Sequence, residues 1–475
     1  MKLLQLKPIN TVERRNKANP DLPPKVENRV WLEGHRLGLV TSPGAPYTIT
    51  ENAAKGEILL DFTCDAGEFT VSKRKTARGL VPLIEISEMR CPTLKDVPEG
   101  SNIRIFHSEK GILIRLNVDG IAQKQKEREE RLLHKLQNGL PLEKGSVFAG
   151  GGTKDFCGDK GFKRAGLASV IRVAIDFDAN AVENLAQNCP HLFDERSMLI
   201  EGDLAALNFD SELKLDYASI TPSCTDASIA GKSKKGLKGE SEQTAHLVYF
   251  YTRFVEQTNP AIIMMENVRG FANEASFHVF CAVMRHMGYN MQRRDINANA
   301  EGFSLEGRER MYVMFTSAGL GQVLDLNDIV PLWTPAQNVA DILDDVPLDH
   351  RSWGNKSYLF EKEKRDAAKG NSFAMQIYRG PESKLSTLRA QYHKGGSSDP
   401  LYAHPTEPDT YRLFNQFEQC RAKEIDPALV DNVPFTGATQ ILGNGLIGHI
   451  SESWYYHLAL QLKKIAVSPN ARIAA

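Results

Sequence analysis

Between Val30 and Leu116 the apolar residues fall in short runs: Tyr47-Thr-Ile-Thr, Ile58-Leu-Leu-Asp-Phe, Val81-Pro-Leu-Ile-Glu-Ile, Ile103-Arg-Ile-Phe and Ile112-Leu-Ile-Arg-Leu. Gly, Pro and charged turns separate them, so residues 29–120 are expected to form a β-rich domain. Residues 1–28 are polar and contain Arg14-Arg15 and Pro23-Pro24, which predicts a flexible arm. Residues 121–140 are dense in helix formers, alternate in charge and close on Asn138-Gly139. That pattern predicts a solvated linker helix. After Ser146 the text changes to strand, turn, helix, strand, with strand-like runs at Ser146-Val-Phe-Ala, Ile171–Asp176, Met198–Glu201, Leu215–Ile220 and Ala261–Glu266. Such alternation predicts an α/β unit, a doubly wound parallel sheet with covering helices. It runs over residues 141–318 and resumes at 411–465. Residues 319–410 are less patterned, with Trp333, Trp353, Tyr378 and Tyr392 among basic and Gly-rich turns.

Composition changes this picture little. The 475 residues are 41% hydrophobic and 25% charged, which suits folded domains and excludes disordered or collagen-like chains. No stretch approaches the roughly 18 apolar residues of a spanning helix, and the first residues lack a signal-peptide run, so no membrane association and a cytoplasmic location are expected. Lys plus Arg total 58 against 59 for Asp plus Glu, so net charge gives no argument for a nucleic-acid partner. Seven scattered cysteines with no CxxC pair point away from a metal site or a disulfide framework.

Candidate chemistry gathers at the predicted strand ends. The first strand runs into Phe148-Ala-Gly150-Gly-Gly152, where absent side chains let backbone approach a nucleotide-like ligand. An ordinary tight turn would read the same way. The second ends in Asp176-Phe177, where doubly wound folds place an acid against ribose hydroxyls, and the third in Asp203-Leu204. The fourth opens into Thr221-Pro222-Ser223-Cys224, and the fifth closes on Glu266-Asn267-Val268. A lone cysteine is usually an apolar filler, but a Pro-x-Cys turn at a strand end favours a presented nucleophile.

These motifs, in this order, resemble the DNA cytosine-5 methyltransferases. Phe148-x-Gly150-x-Gly152 is similar to the family's first motif, Pro222-x-Cys224 with Ser228 to its nucleophile motif, and Glu266-Asn267-Val268 to its glutamate motif. Arg308-Glu309-Arg310 resembles the paired arginines, and Gln440-Ile-Leu-Gly443-Asn444-Gly445 the last motif. The likeness covers about Ser146 to Leu462. The chain departs from the pattern at Ser223, at Thr225, at Glu306 where the family has Gln, and in an apparent insertion, Thr153 to Asp159, after the glycines.

The resemblance implies a Rossmann-like, S-adenosylmethionine-dependent methyltransferase fold, with residues 319–410 as a smaller target-recognition domain and 411–465 completing the catalytic domain. It implies S-adenosyl-L-methionine as cofactor, held by Phe148, Gly150, Gly152, Asp176, Phe177, Asp203, Leu204 and Asn444. It implies double-stranded DNA as partner and a flipped cytosine as substrate. Cys224 would add to C6, with Glu266, Arg308 and Arg310 completing the catalytic set. Ser228 and the loop lysines Lys232, Lys234, Lys235 and Lys238 would contact nucleic acid, unless that loop is simply solvated. RNA as the substrate, a catalytically impaired DNA-binding regulator, and transfer of a group other than methyl are the alternatives. The N-terminal domain is expected to add a DNA contact or a dimer interface.

Overall fold

The computed structural model describes residues 3–15, 23–53, 56–77, 79–95, 97, 101–116, 120–209, 212–222, 242–370 and 374–467. The chain divides into two compact units, Met1–Lys126 and Glu127–Ala475.

In the first unit the strands are β1 (Leu3–Pro8), β2 (Asn10–Arg14), β3 (Lys25–Glu33), β4 (Pro46–Asn52), β5 (Glu57–Asp61), β6 (Phe69–Thr70), β7 (Ser72–Thr76), β8 (Gly79–Ser87), β9 (Asn102–Ser108) and β10 (Gly111–Leu116). They pair antiparallel in two sheets, ordered β1-β9-β10-β5-β4-β6 and β2-β3-β8-β7. Val30, Leu32, Ile84 and Ile86 of one sheet share a single apolar core with Ile58, Leu60, Ile103 and Ile112 of the other. The expected arm over residues 1–28 is corrected here. Leu3–Pro8 pairs with β9 from Leu3↔His107 to Pro8↔Asn102, and Asn10–Arg14 pairs with β3. In β1 the alternation is inverted, with Leu4 and Leu6 exposed while Gln5 and Lys7 are half-buried, so hydropathy hides the strand.

The second unit is built on seven strands, β11 (Leu142–Val147), β12 (Ser169–Asp176), β13 (Met198–Glu201), β14 (Tyr217–Ile220), β15 (Ile262–Asn267), β16 (Tyr289–Asn297) and β17 (Glu309–Ser317). Their order is β13-β12-β11-β14-β15-β17-β16. β11 to β15 run parallel, whereas β17 and β16 are antiparallel additions. The central strands are continuous apolar runs because helices cover both faces, as the buried Tyr217–Ile220 shows. From β11 the chain steps to β12 and β13 on one side, then returns to β14 and β15 on the other. A crevice opens beyond the carboxyl ends where the direction reverses. A second sheet, β18 (Gly354–Asn355), β19 (Gln376–Tyr378), β20 (Pro400–Ala403) and β21 (Thr410–Arg412), has the order β18-β21-β20-β19.

Two further expectations change. Thr153 to Asp159 is no loop insertion but the start of a helix, Thr153–Arg164, that packs closely on the helix Gly448–Val467. A Cβ on Gly161 would stand 2.2 Å from the Glu452 carbonyl oxygen, so only glycine permits the approach. The helix Ile121–Gln137 is not a solvated linker, since Arg128 and Glu129 are fully buried. Arg128 donates to the Ser317 hydroxyl and to the carbonyls of Met287 and Gly288, each at 2.8 Å, while Glu129 accepts from the Gly319 amide at 2.9 Å. Lys135 reaches Asp216 at 2.7 Å. Its alternating charges match polar groups at the amino-terminal edge of the sheet and its connections, rather than water.

Arg128→Ala should leave these acceptors and Glu129 buried without a cation, lowering the unfolding free energy by about 3 kcal/mol. Urea denaturation checks it, and a loss within the surface-substitution range of about 0.5 kcal/mol would return the helix to the solvated class.

Candidate active site

The crevice at the carboxyl ends of β11, β12, β14 and β15 holds a cavity of about 270 Å³. Its floor is the turn after β11. Phe148 adopts φ 57°, an unusual conformation for a residue with a Cβ, and Gly150 (φ 56°) and Gly152 (φ 88°) continue the left-handed path. Side chains from neighbouring strand ends hold the turn. The Asp176 carboxylate accepts from the Gly150 amide at 2.7 Å and from the Asp178 amide at 3.0 Å. The Thr221 hydroxyl donates to the Phe148 carbonyl at 2.7 Å. A Cβ on Gly151 would lie 2.6 Å from Ile441, so the helix Phe435–Asn444 closes directly over the glycines and brings Asn444 into the lining. Phe177 is 76% exposed and presents an unpaired ring to the same space.

Glu266 ends β15 and also lines the cavity, with Arg310 of β17 3.1 Å from its carboxylate. Asn267 donates to the Pro222 carbonyl at 3.0 Å, tying the end of β15 to the turn after β14. Cys224, Ser228, Lys232, Lys234, Lys235 and Lys238 lie outside the described residues. Of the remaining expected residues, Phe148, Gly150, Asp176, Phe177, Glu266, Arg310 and Asn444 meet in one lining. Gly152 turns the chain into the helix Thr153–Arg164, as its N-cap.

Three expected residues stand apart. The exposed Asp203 accepts from the Ala205 amide at 2.9 Å as the cap of a short helical turn, and Leu204 is buried in the core beside Val173 and Ile175. Arg308 is buried and donates to the Gly443 carbonyl at 2.9 Å, so it joins β17 to the helix over the glycines instead of facing the cavity. Alternate residues of a strand point to opposite faces, but Arg308 precedes the strand, and its separate course is set by its partners.

Two features go beyond the sequence reading, which gave Lys154 no role and Glu306 no partner. Lys154, in the first turn of the helix after the glycines, is buried yet lines the cavity, with Nζ 3.3 Å from the Thr221 hydroxyl. Burial pulls its pKa down to about 8, against the opposing pull of Asp155. Reading this segment as an inserted loop concealed its helical position. The second feature is Glu306, fully buried 2.6 Å from Lys423 and 3.4 Å from Arg308. Lys423 is also fully buried, and desolvation lowers its pKa to about 8 while Glu306 opposes the shift. The carboxylate at the Gln position of the arginine motif is thus matched by a cation more than a hundred residues away in sequence.

The family model of the C-5 cytosine-specific DNA methylase matches residues 143–428. The chain belongs to this family. The matched span includes the whole seven-stranded sheet except the first residue of β11, and leaves the N-terminal unit outside. Among curated relatives, the Type II methyltransferase M.Bsp6I of Bacillus sp. (strain RFL6) is 27% identical over 176 residues, 36% of this chain and 51% of that protein. The Type II methyltransferase M.SacI of Streptomyces achromogenes is 27% identical over 186 residues, 36% of this chain and 46% of that one. The chain therefore spans about half the length of the curated relatives it matches. The S. pombe Dnmt2 methyltransferase shares the fold at 16% identity and a TM-score of 0.50, over 68% of this chain and 99% of its own.

Lys423→Met should destabilise the protein by about 3 kcal/mol by leaving Glu306 under-compensated, and Glu306→Gln on that background should restore most of the loss. Denaturation of the single and double variants measures the coupling, and independent effects would dismiss it. For Lys154 the folded pKa lies below the unfolded value of 10.5, so the folded state binds fewer protons between pH 8 and 10.5. Its burial penalty is complete below pH 8 and relieved as pH rises through that window. The stability advantage of Lys154→Met over wild type should accordingly shrink from pH 8 to 10.5, and a constant difference would contradict the assignment.

Proposed function

We propose that this methylase is a DNA cytosine C5 methyltransferase that uses S-adenosyl-L-methionine and acts on a flipped cytosine in double-stranded DNA in the cytoplasm. The observation that carries the reading is the meeting of the Glu266–Arg310 pair with the glycine turn, Asp176 and Phe177 in one crevice, beside the Pro222 turn that leads to Cys224.

The lining suits the cofactor. Bare backbone at Gly150 and Gly151 admits a close ligand, the Phe177 ring offers a face to adenine, and Asp176 is an acceptor for ribose hydroxyls while it braces the turn. Phe148 and Asn444 complete its walls. Bound there, S-adenosylmethionine supplies an electrophilic methyl group. The chain's own work is to make C5 of cytosine nucleophilic. Cys224 as the thiolate adds to C6, converting the ring to an enamine-like form with electron density at C5. Glu266, carrying the proton, donates it to N3 of the ring as charge develops there, and Arg310 holds the side chain in that orientation. When the C5 proton has been removed, the C6–S bond breaks and the thiolate leaves. Arg308 acts through Gly443 as a positioning residue. The lysines of the Ala230–Glu240 segment meet DNA phosphates, and residues 319–410 select the target.

Nucleoside mass spectrometry of host DNA, with and without the protein, tests the activity through the appearance of 5-methylcytosine. Cys224→Ser should abolish turnover, fail to trap on a 5-fluorocytosine duplex, and keep cofactor affinity within about threefold, a difference under ~0.7 kcal/mol. A covalent adduct in the variant would remove Cys224 from the mechanism.

A further inference from the structure

The N-terminal unit, which the family match does not reach, contains a cavity of about 330 Å³. This lies within the usual range for small-ligand sites, about 300 to 1,000 Å³. Lys7 of β1, Leu32 and Glu33 of β3, His35 and Arg36 of the short helix His35–Gly38, and His107 of β9 contribute to it.

His107 is the unusual member. It is 4% exposed, occupies a core-facing position in line with Ile103 and Ile105, and neither ring nitrogen has a hydrogen-bond partner among the described residues. Leaving a buried polar group without a partner is unfavourable, so the arrangement is explained if a polar group enters the cavity. The charges indicate its sign. Lys7 is half-buried and donates to the Trp31 carbonyl at 2.5 Å. Burial lowers its pKa, and Arg36 lowers it further while Glu33 opposes. Burial and Arg36 likewise lower the pKa of His107, so the Arg36 charge is felt by both. Among the described lining residues Glu33 is the one carboxylate, and Arg74 outside the cavity engages it at 2.5 Å. Two cations and an imidazole without a hydrogen-bond partner therefore border a space in which, among the described residues, the one acid is shared between Lys7 and Arg74.

We propose that this cavity is a binding site for the phosphate group of a nucleotide, with Arg36 and Lys7 meeting the phosphate and His107 supplying a further hydrogen bond. A phosphate accepts several hydrogen bonds and neutralises the two cations that now repel each other. The group can come from a free mononucleotide or from the phosphorylated end of a DNA strand, which share this chemistry. The site is separate from the methyl-transfer crevice, and its test does not depend on that reading.

The full chain, with histidine side chains isotope-labelled for NMR, is titrated with deoxycytidine, deoxycytidine monophosphate, and a short duplex with and without 5′-phosphates. The His107 resonance should move with the monophosphate or the phosphorylated duplex and not with the nucleoside or the unphosphorylated duplex. Response to the monophosphate identifies a free nucleotide as a sufficient ligand, and response to the phosphorylated duplex alone identifies a DNA end. Arg36→Ala, an exposed position that folding tolerates, should weaken the response at least tenfold, and Arg36→Lys should retain part of it. Equal responses to nucleoside and monophosphate, an unmoved His107 in every titration, or unchanged affinity in Arg36→Ala would overturn the proposal.

Discussion

The hydrogen bond from the Gly150 amide to the Asp176 carboxylate is the constraint on which the crevice depends. It joins the ends of β11 and β12, and Asp176 can make it only because parallel pairing brings both strands to the same edge. Thr221 secures the other side of the turn through the Phe148 carbonyl, and Asn267 links the next two strand ends through Pro222. Four consecutive parallel strand ends are thereby tied by polar contacts around the cavity. The left-handed backbone at Phe148, Gly150 and Gly152 is held by these contacts, not by local preference.

Fully buried charge is the second recurring device. Arg128 and Glu129 anchor the helix before the sheet, Lys144 pairs with Asp155 and donates to the Tyr455 hydroxyl, Glu306 is held between Lys423 and Arg308, and Arg412 forks onto Glu418. Buried pairs of this kind add little net stability over apolar packing, but losing one partner is strongly unfavourable. They consequently specify which segments meet. Through Lys423, Glu306 and Arg308, the region before the last helices is registered against the antiparallel edge of the sheet, and Gly443 then brings the closing helix within reach of the glycine turn.

The sequence by itself determined the alternating strands of the N-terminal unit, the order of β11 to β15, and the residue types at the sheet edge. Period-two alternation, continuous apolar runs and the Gly, Pro and Asn turns are local signals, written where they act. Most of the crevice was legible for the same reason: Phe148, Gly150, Asp176, Phe177 and Glu266 are all strand-end residues, and a doubly wound sheet collects strand ends. Tertiary structure alone decided the rest. Leu3–Pro8 is a strand because β9 offers it an edge, although its outward leucines oppose the usual pattern. The charged helix is buried against partners some 80 to 190 residues away. Arg308 and Arg310 read as one motif, yet the Gly443 carbonyl draws one into the packing and the Glu266 carboxylate holds the other at the cavity. Lys154 enters the lining because Thr153 to Asp159, read as an insertion, is the start of the helix after the glycines. In each case the deciding energy comes from a partner remote along the chain, and local sequence pattern carries no information about such a partner.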